Sequence, residues 1–310
     1  MTRFPYLGLA FAALLAACGG GGGDDDDGTG DGGPPTQAEM VAQGGFRSPT
    51  FAAMSPDGET AYFAALTDEA EPHAAIFSMP AQGGDLTAMT SDARLELVAG
   101  LGITDDGSTL VVGEGLPRAE FDQEGQSSLY TLSTSGGDLL PLAAEGVASV
   151  SGLVVLGDLV YLTGTTDDGD QALFTLPIGG GAAHVVLAGA PLVEPNGLDV
   201  DEQGVAWVMH NDPSRALGSA LLSIEPDGTV SEVVSGLGLA DDCHRFKGGN
   251  IAVIPRTTDD GVELLTKDLV TGDETTIATD MKLPAGVGGA REAARIVVTD
   301  NEKNAIYLVH

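Results

Sequence analysis

The sequence predicts an all-β fold, a six-bladed β-propeller of four-stranded antiparallel blades, and three observations predict it. Six apolar runs rich in β-branched and aromatic residues recur between Thr60 and Val298. Each is followed, after a polar loop, by a second short apolar strand. The ends of these second runs (Phe77, Tyr130, Phe174, Leu222, Leu265 and Tyr307) step by 42 to 53 residues. Glycine-bearing turns punctuate nearly every copy. Four short strands per repeat of about 45 residues is the period of a propeller blade. A helical solenoid would show 3.6-residue periodicity, which these stretches lack.

The chain opens with Met1-Thr2-Arg3, an apolar run from Tyr6 to Leu15, and Ala16-Ala17-Cys18. One positive charge, a short apolar stretch and small residues form the pattern of an export signal. The run is shorter than the roughly 20 apolar residues of a membrane-spanning helix. Leu15-Ala16-Ala17-Cys18 resembles a bacterial lipobox. That resemblance implies a signal peptide over residues 1–17, acylation of the Cys18 thiol by a palmitate-type chain, and anchorage of the mature chain at the bacterial cell envelope. Gly19 stands where inner-membrane-retained lipoproteins of enterobacteria carry Asp, which resembles the outer-membrane class.

Residues 18–36 read as a tether. Five glycines (Gly19–Gly23), four aspartates (Asp24–Asp27) and a Gly/Pro-rich run offer nothing to pack, so the segment is expected to be flexible and extended by self-repulsion. From Gly19 to Thr36 it would span roughly 25 Å root-mean-square. The Asp run reads as a solvated spacer, because a coil loses much entropy on closing around calcium.

Residues 37–310 read as the propeller. The second strands of the blades are predicted at Thr60–Ala64, Thr109–Val112, Leu159–Leu162, Val205–Val208, Ile251–Ile254 and Arg295–Val298. The third strands are predicted at Ala75–Phe77, Ser128–Tyr130, Ala172–Phe174, Ala220–Leu222, Glu263–Leu265 and Ala305–Tyr307. Turns such as Ser55-Pro56-Asp57-Gly58 and Thr104-Asp105-Asp106-Gly107 join first to second strands, and Gly83-Gly84 or Gly136-Gly137 join third to fourth. Glycine supplies the positive φ that short hairpins demand. The sixth copy ends at Val309-His310, after its third strand. An unpaired edge would remain, so Gln37–Ala42 is predicted to pair beside Ala305–Val309. The innermost strand of the sixth copy, around Gly286–Arg291, is the least clearly patterned.

Lys plus Arg number 13 against 46 Asp plus Glu, for a formal net charge of −33. This excludes a generic nucleic-acid binder, which needs clustered cations to neutralise phosphate. It also argues against docking to anionic lipid through a basic patch. The two cysteines, Cys18 and Cys243, cannot form a disulfide framework. Cys243 reads as a small buried hydrophobe, and Trp207 is expected to pack between blades. No nucleophile elbow, phosphate loop or zinc motif occurs.

The second-to-third loops (Thr67–His73, Glu114–Gln126, Thr165–Asp170 and Asn211–Gly218) are the longest, and long loops on one face mark the expected binding face for a protein or small-molecule partner. The starts of the innermost strands meet the same face. Glu194, Asn196, Asp241 and Asp242 place several oxygens there, a set suited to calcium or another hard divalent cation. Asn196-Gly197 also reads as a simple turn, and Asp241-Asp242 as a solvated loop. His210, next to Asn211-Asp212, and Asp241 are the candidate catalytic groups, although a lone His near a loop is commonly structural. His244 faces either channel or core, and period 2 alone does not decide which.

Pro195-Asn196-Gly197-Leu198, followed by Asp201-Glu202-Gln203-Gly204, resembles the senescence marker protein and gluconolactonase family. That resemblance implies a six-bladed, metal-dependent hydrolase of lactones and some organophosphates. Its ligands would be a Glu ahead of the first strand, the Asn of Pro-Asn-Gly and an Asp one blade later. Asn196 matches the second and Asp242, 46 residues on, the third. Near the Glu position stands Arg47, so Glu194 or Asp241 would have to substitute. Ser55-Pro56-Asp57-Gly58 resembles the repeats of TolB-type propellers, which bind proteins and catalyse nothing. Two readings follow. One is a binding or scaffold module held at the envelope through Cys18. The other is a divalent-metal lactone or ester hydrolase, in which the metal polarises the carbonyl. The first is preferred, because the Glu ligand is missing and a fold does not carry its relatives' chemistry.

Overall fold

Strands that are apolar on both faces must be covered on both faces, and stacking blades around an axis does this. The second strand of the first blade, Thr60–Thr67, is buried at nearly every position, as are Thr109–Glu114 and Arg295–Asp300 in the second and sixth blades. Such strands read as continuous apolar runs rather than alternating ones. The outer strands, such as Thr87–Thr90 and Glu274–Ala278, are largely exposed and polar. The computed structural model describes residues 35–310 apart from 91, 118–126, 215–217, 239, 241, 247–249, 259 and 291–294. Cys18 and Asp241 therefore lie outside the described residues, as do parts of two of the long loops and of the turn at Phe246-Lys247-Gly248-Gly249.

The described residues form no helix; they build six antiparallel sheets in the arrangement of a propeller, and a two-stranded parallel pair of Ala144–Glu145 with Gly181–Ala182. The second blade runs Val98–Ile103, Thr109–Glu114, Leu129–Ser133 and Leu140–Leu142, from channel to rim. The third runs Val147–Leu156, Leu159–Thr166, Gln171–Pro177 and His184–Ala188. The fourth runs Glu194–Val200, Ala206–Asn211, Ser219–Ile224 and Val230–Ser235, and the fifth His244–Phe246, Ile251–Thr258, Gly261–Asp268 and Glu274–Ala278. In the first blade Ala52–Met54 and Phe46–Arg47 both pair with Thr60–Thr67, followed by Ala74–Pro80 and Thr87–Thr90. The sixth comprises Pro284–Ala290, Arg295–Asp300 and Ala305–Val309, and its outer strand is Ala38–Gln43. Ala38 lies opposite Val309 and Gln43 opposite Ala305. The amides of Thr36 and Gln37 both donate to the His310 carbonyl, at 3.0 and 3.1 Å. The chain thus enters the ring at the end that carries the first-to-second and third-to-fourth turns.

The core lies between blades. Phe46, Phe63 and Phe77 of the first blade pack against Val297, Ile306 and Leu308 of the sixth, with the Phe63 and Phe77 rings stacked at 5.5 Å. Trp207 packs with Met209, Leu221, Cys243 and Ile254 between the fourth and fifth blades, and Cys243 is buried. At the axis, neighbouring innermost strands touch backbone to backbone. A Cβ on Gly152 would lie 2.5 Å from the Asn196 carbonyl oxygen, and one on Gly288 would collide with the Ala52 carbonyl. Glycine removes that obstacle, which explains the weak strand pattern of the sixth blade's innermost segment.

Three blades share a further device. Residues that cross from one blade's rim to the next blade's innermost strand leave backbone amides that must be satisfied. Glu114, at the end of the second strand of the second blade, accepts from the amides of Glu96, Leu97 and Leu116, each at 3.0 Å. Asp300, at the equivalent place in the sixth blade, accepts from Lys282 at 2.7 Å, Leu283 at 3.2 Å and Lys303 at 3.0 Å. In the fourth blade His210 takes the role, its Nδ1 accepting from the Val193 amide at 3.3 Å. All three side chains are buried. Each thereby pins the residue immediately before an innermost strand, and those residues are Leu97, Val193 and Leu283, exposed by 52, 40 and 37%.

Two outcomes are expected. Gly288→Ala should destabilise the fold by about 1–3 kcal/mol through overpacking against backbone, whereas Gly179→Ala, in open space, should stay within about 0.5 kcal/mol; urea unfolding measures both. The second concerns Glu114, whose carboxyl burial pushes above its ordinary value against the opposing pull of the Glu96, Leu116 and Leu97 amides. The folded state then holds the proton more tightly than the unfolded chain. Its contribution is complete below the usual glutamate range and is lost as pH rises through the folded value. Glu114→Gln leaves a buried amide short of an acceptor, at a cost of about 1–3 kcal/mol. The stability advantage of the wild type over this variant should shrink as pH rises from about 4 to about 7; an advantage that grows over this range contradicts the assignment.

Candidate functional site

The innermost strands ring a central channel, and the channel encloses a cavity of about 320 Å³. Its wall is mainly apolar, with Phe51, Met54, Leu101, Ile103, Val155 and Leu198 contributing. Asp242 lines it level with the middle of the neighbouring innermost strands, beside Gly197 and Val287; His244 lines it nearer their ends, beside Gly289; and Thr104, Asp105 and Glu202 line it in the first-to-second turns. Asp105 and Glu202 are exposed there. No described residue of the long second-to-third loops takes part, so cavity and long-loop face are separate surfaces.

His244 begins the innermost strand of the fifth blade and lines the cavity, which decides between channel and core. Its Nδ1 lies 3.5 Å from Oδ2 of Asp199 on the fourth blade's innermost strand. Both side chains are buried. The pair is an ion pair only when the imidazole is protonated. Asp199 also accepts from the Val200 amide at 2.8 Å. Asp199 and His244 are 45 residues apart in sequence, one blade. That single-repeat offset along innermost strands is the signal by which sequence reasoning could have found the pair.

The oxygen-bearing residues read from the sequence divide. Glu194 is the first residue of its strand, opposite Asn211, and is exposed. Asn196 is half-buried, and its carbonyl accepts from Thr163 Oγ1 at 2.5 Å, joining the fourth blade to the third. Asp242 is buried just ahead of the fifth blade's innermost strand. One carboxylate oxygen accepts from the Cys243 amide and the other from the Val287 amide of the sixth blade, both at 2.9 Å. The same carboxylate abuts Gly197, where a Cβ would overlap it. Asn196 and Asp242 are thus brought onto touching strands, as blade periodicity implies. Their polar atoms serve the junctions of four consecutive blades. His210 is the buried cap on Val193. Arg47, near the position of the family's Glu, pairs with Asp68 at 2.7 Å, with both side chains about half exposed.

This donor set does not fit a divalent ion. The Asp242 carboxylate already bridges two amides, Glu194 is exposed, and among the described residues no three of His, Cys, Asp and Glu converge closely enough to hold a metal.

No protein-family model and no curated protein matches the chain. Solved structures do. A gluconolactonase from Xanthomonas campestris superposes with a TM-score of 0.64 at 15% identity, covering 90% of this chain and 95% of that one. A protein assigned as TolB from Agrobacterium tumefaciens gives 0.56 at 12% identity over 70% of this chain and 75% of that one. A chain of the nidogen/laminin complex gives 0.57 at 16% identity over 75% and 81%. At these identities the likeness carries the architecture: the chain is a six-bladed β-propeller whose structural neighbours include gluconolactonase-like and TolB-like propellers.

Proposed function

We propose that the protein is a lipid-anchored module of the bacterial envelope, of the outer-membrane class, which binds or scaffolds a partner on its long-loop face. Direction is the observation that carries this reading. The chain enters the ring at Thr36, hydrogen-bonded to His310 at the turn end. An acyl anchor at Cys18 would thus join the ring at its turn end, the end opposite the long loops. The long-loop rim carries Leu97, Val193 and Leu283 at equivalent positions on alternate blades, each exposed and each held by a buried cap. Exposed aliphatic groups on a rigid frame suit recognition, since little ordering entropy remains to be lost on binding. A nidogen/laminin chain shares the architecture, and the proposal gives this chain a comparable protein-binding use.

The competing reading is a divalent-metal lactone or ester hydrolase with Glu194, Asn196 and Asp242 as ligands. It lacks a fitting donor set, and one set of experiments separates the two. Cys18→Ser should move the full chain from the membrane to the soluble fraction of the producing cells. In intact cells a photocrosslinker at Leu97 or Val193 should give discrete adducts well above those from Ser135, in a third-to-fourth turn. Equal adducts from all three positions would remove the binding face. Calcium added to metal-stripped protein should leave the thermal midpoint unchanged and open no lactone. A rise in midpoint accompanied by turnover would replace the binding reading with the hydrolase.

A further inference from the structure

The channel cavity is a different surface from the long-loop rim, and its chemistry points to its own ligand. At about 320 Å³ it sits at the small end of the range for ligand pockets, roughly 300–1,000 Å³. Most of its wall is aliphatic or aromatic, so it favours an apolar body. Among the described lining residues the ionisable groups are Asp105, Glu202, Asp242 and His244. None is Lys or Arg. Asp199 stands behind His244 and adds a further carboxyl group close to the cavity. Carboxyl groups thus occur at the turn end and midway along an apolar tube, whose low-dielectric wall strengthens their field over that in water. An anion entering it would meet like charge with no opposing side chain among those residues. A neutral apolar molecule would gain burial alone. A cation with an apolar body gains both terms.

We propose that the channel binds a small hydrophobic organic cation, an alkyl- or aryl-ammonium, with its apolar body against the innermost strands. Asp105 and Glu202 at the turn end attract it and face its ammonium, with the Asp199–His244 pair on the same half of the channel. The site is independent of the membrane anchor and of the long-loop face.

The test uses the 310-residue chain, produced without export so that Cys18 stays unacylated. Three probes share one tail and differ in charge: hexyltrimethylammonium, hexanol and hexanesulfonate, each kept below its aggregation concentration. Calorimetry and thermal midpoint are read for each. The cation should bind saturably at one per chain and raise the midpoint. Hexanol should bind about tenfold more weakly, and the sulfonate should not bind measurably. Glu202→Gln, at an exposed position that cannot unfold the ring, should weaken the cation about threefold and leave hexanol unchanged. Ile103→Trp should fill the half-buried wall and abolish binding. If that variant fails to fold, Glu202→Gln and the charge series decide alone. Sulfonate binding as tight as the cation, non-saturating uptake of all three, or a cation affinity indifferent to Glu202→Gln overturns the proposal.

Discussion

Six sheets can share one axis only if their inner edges nearly touch, and at this axis there is no room for side chains at several of the contacts. Gly152 meets the Asn196 carbonyl, Gly288 meets Ala52, and Gly197 meets the Asp242 carboxylate. Each missing Cβ brings two backbones to a separation that any other residue would prevent. The blades then splay outward like wedges, and large side chains fill the widening gaps. The Phe46, Phe63 and Phe77 cluster and the Trp207 cluster are both of this kind. Small residues at the hub and large ones farther out express one geometric requirement. Each interior contact is made by two blades, so each blade is stable only with neighbours on both sides. The outer strand Ala38–Gln43 matters for that reason, since it completes the last sheet from the opposite end of the chain.

The same requirement produces the polar caps. In three blades the passage from rim to hub takes the backbone out of its ladder, and its amides turn to a buried side chain. An unsatisfied buried amide costs about 1–3 kcal/mol, and three blades answer with three side-chain types in one position: Glu114, His210 and Asp300. The chemistry differs but the acceptor is constant. His210, a candidate catalytic group in the sequence, holds the Val193 amide in three dimensions. Asp242 belongs with these caps, tying the fifth blade to the sixth through the Val287 amide. These groups fix the orientation of the aliphatic residues beside them, so the exposed rim takes its rigidity from the interior.

Much of the architecture was legible. The second and third strands stood out because burial on both faces makes them continuously apolar, and the hairpins stood out because positive φ selects glycine, as at Gly58 and Gly107. The need for a closing strand followed from counting strands in the last repeat. What was not legible depends on contacts between repeats. Pro284–Ala290 hardly reads as a strand, since its glycines answer to the neighbouring blade rather than to their own sheet. Phe46–Arg47 pairs with the far end of Thr60–Thr67 through a register that no local pattern encodes. Glu194, Asn196 and Asp242 do lie on or beside innermost strands, but their partners were hidden, because a carboxylate that holds two amides has the same sequence as one that awaits an ion. Asp199–His244 was missed for the converse reason: each residue looks ordinary until strands one blade apart are set side by side.

The finished ring presents two chemically distinct ends along one axis. At one end the innermost strands begin among pinned aliphatic residues, and at the other they finish in turns carrying exposed Asp105 and Glu202. Between them lies an apolar tube whose wall is the hub itself. Close-packed interiors are hardly compressible, and their parts rearrange only where an element has two arrangements to choose between. The contacts at Gly152, Gly197 and Gly288 leave the innermost strands no slack from which a second arrangement could be made. A ligand in the tube therefore meets a preformed cavity rather than one that must open. Selectivity in such a site rests on size and charge, the two properties that a rigid tube with carboxyl groups at its turn end can measure.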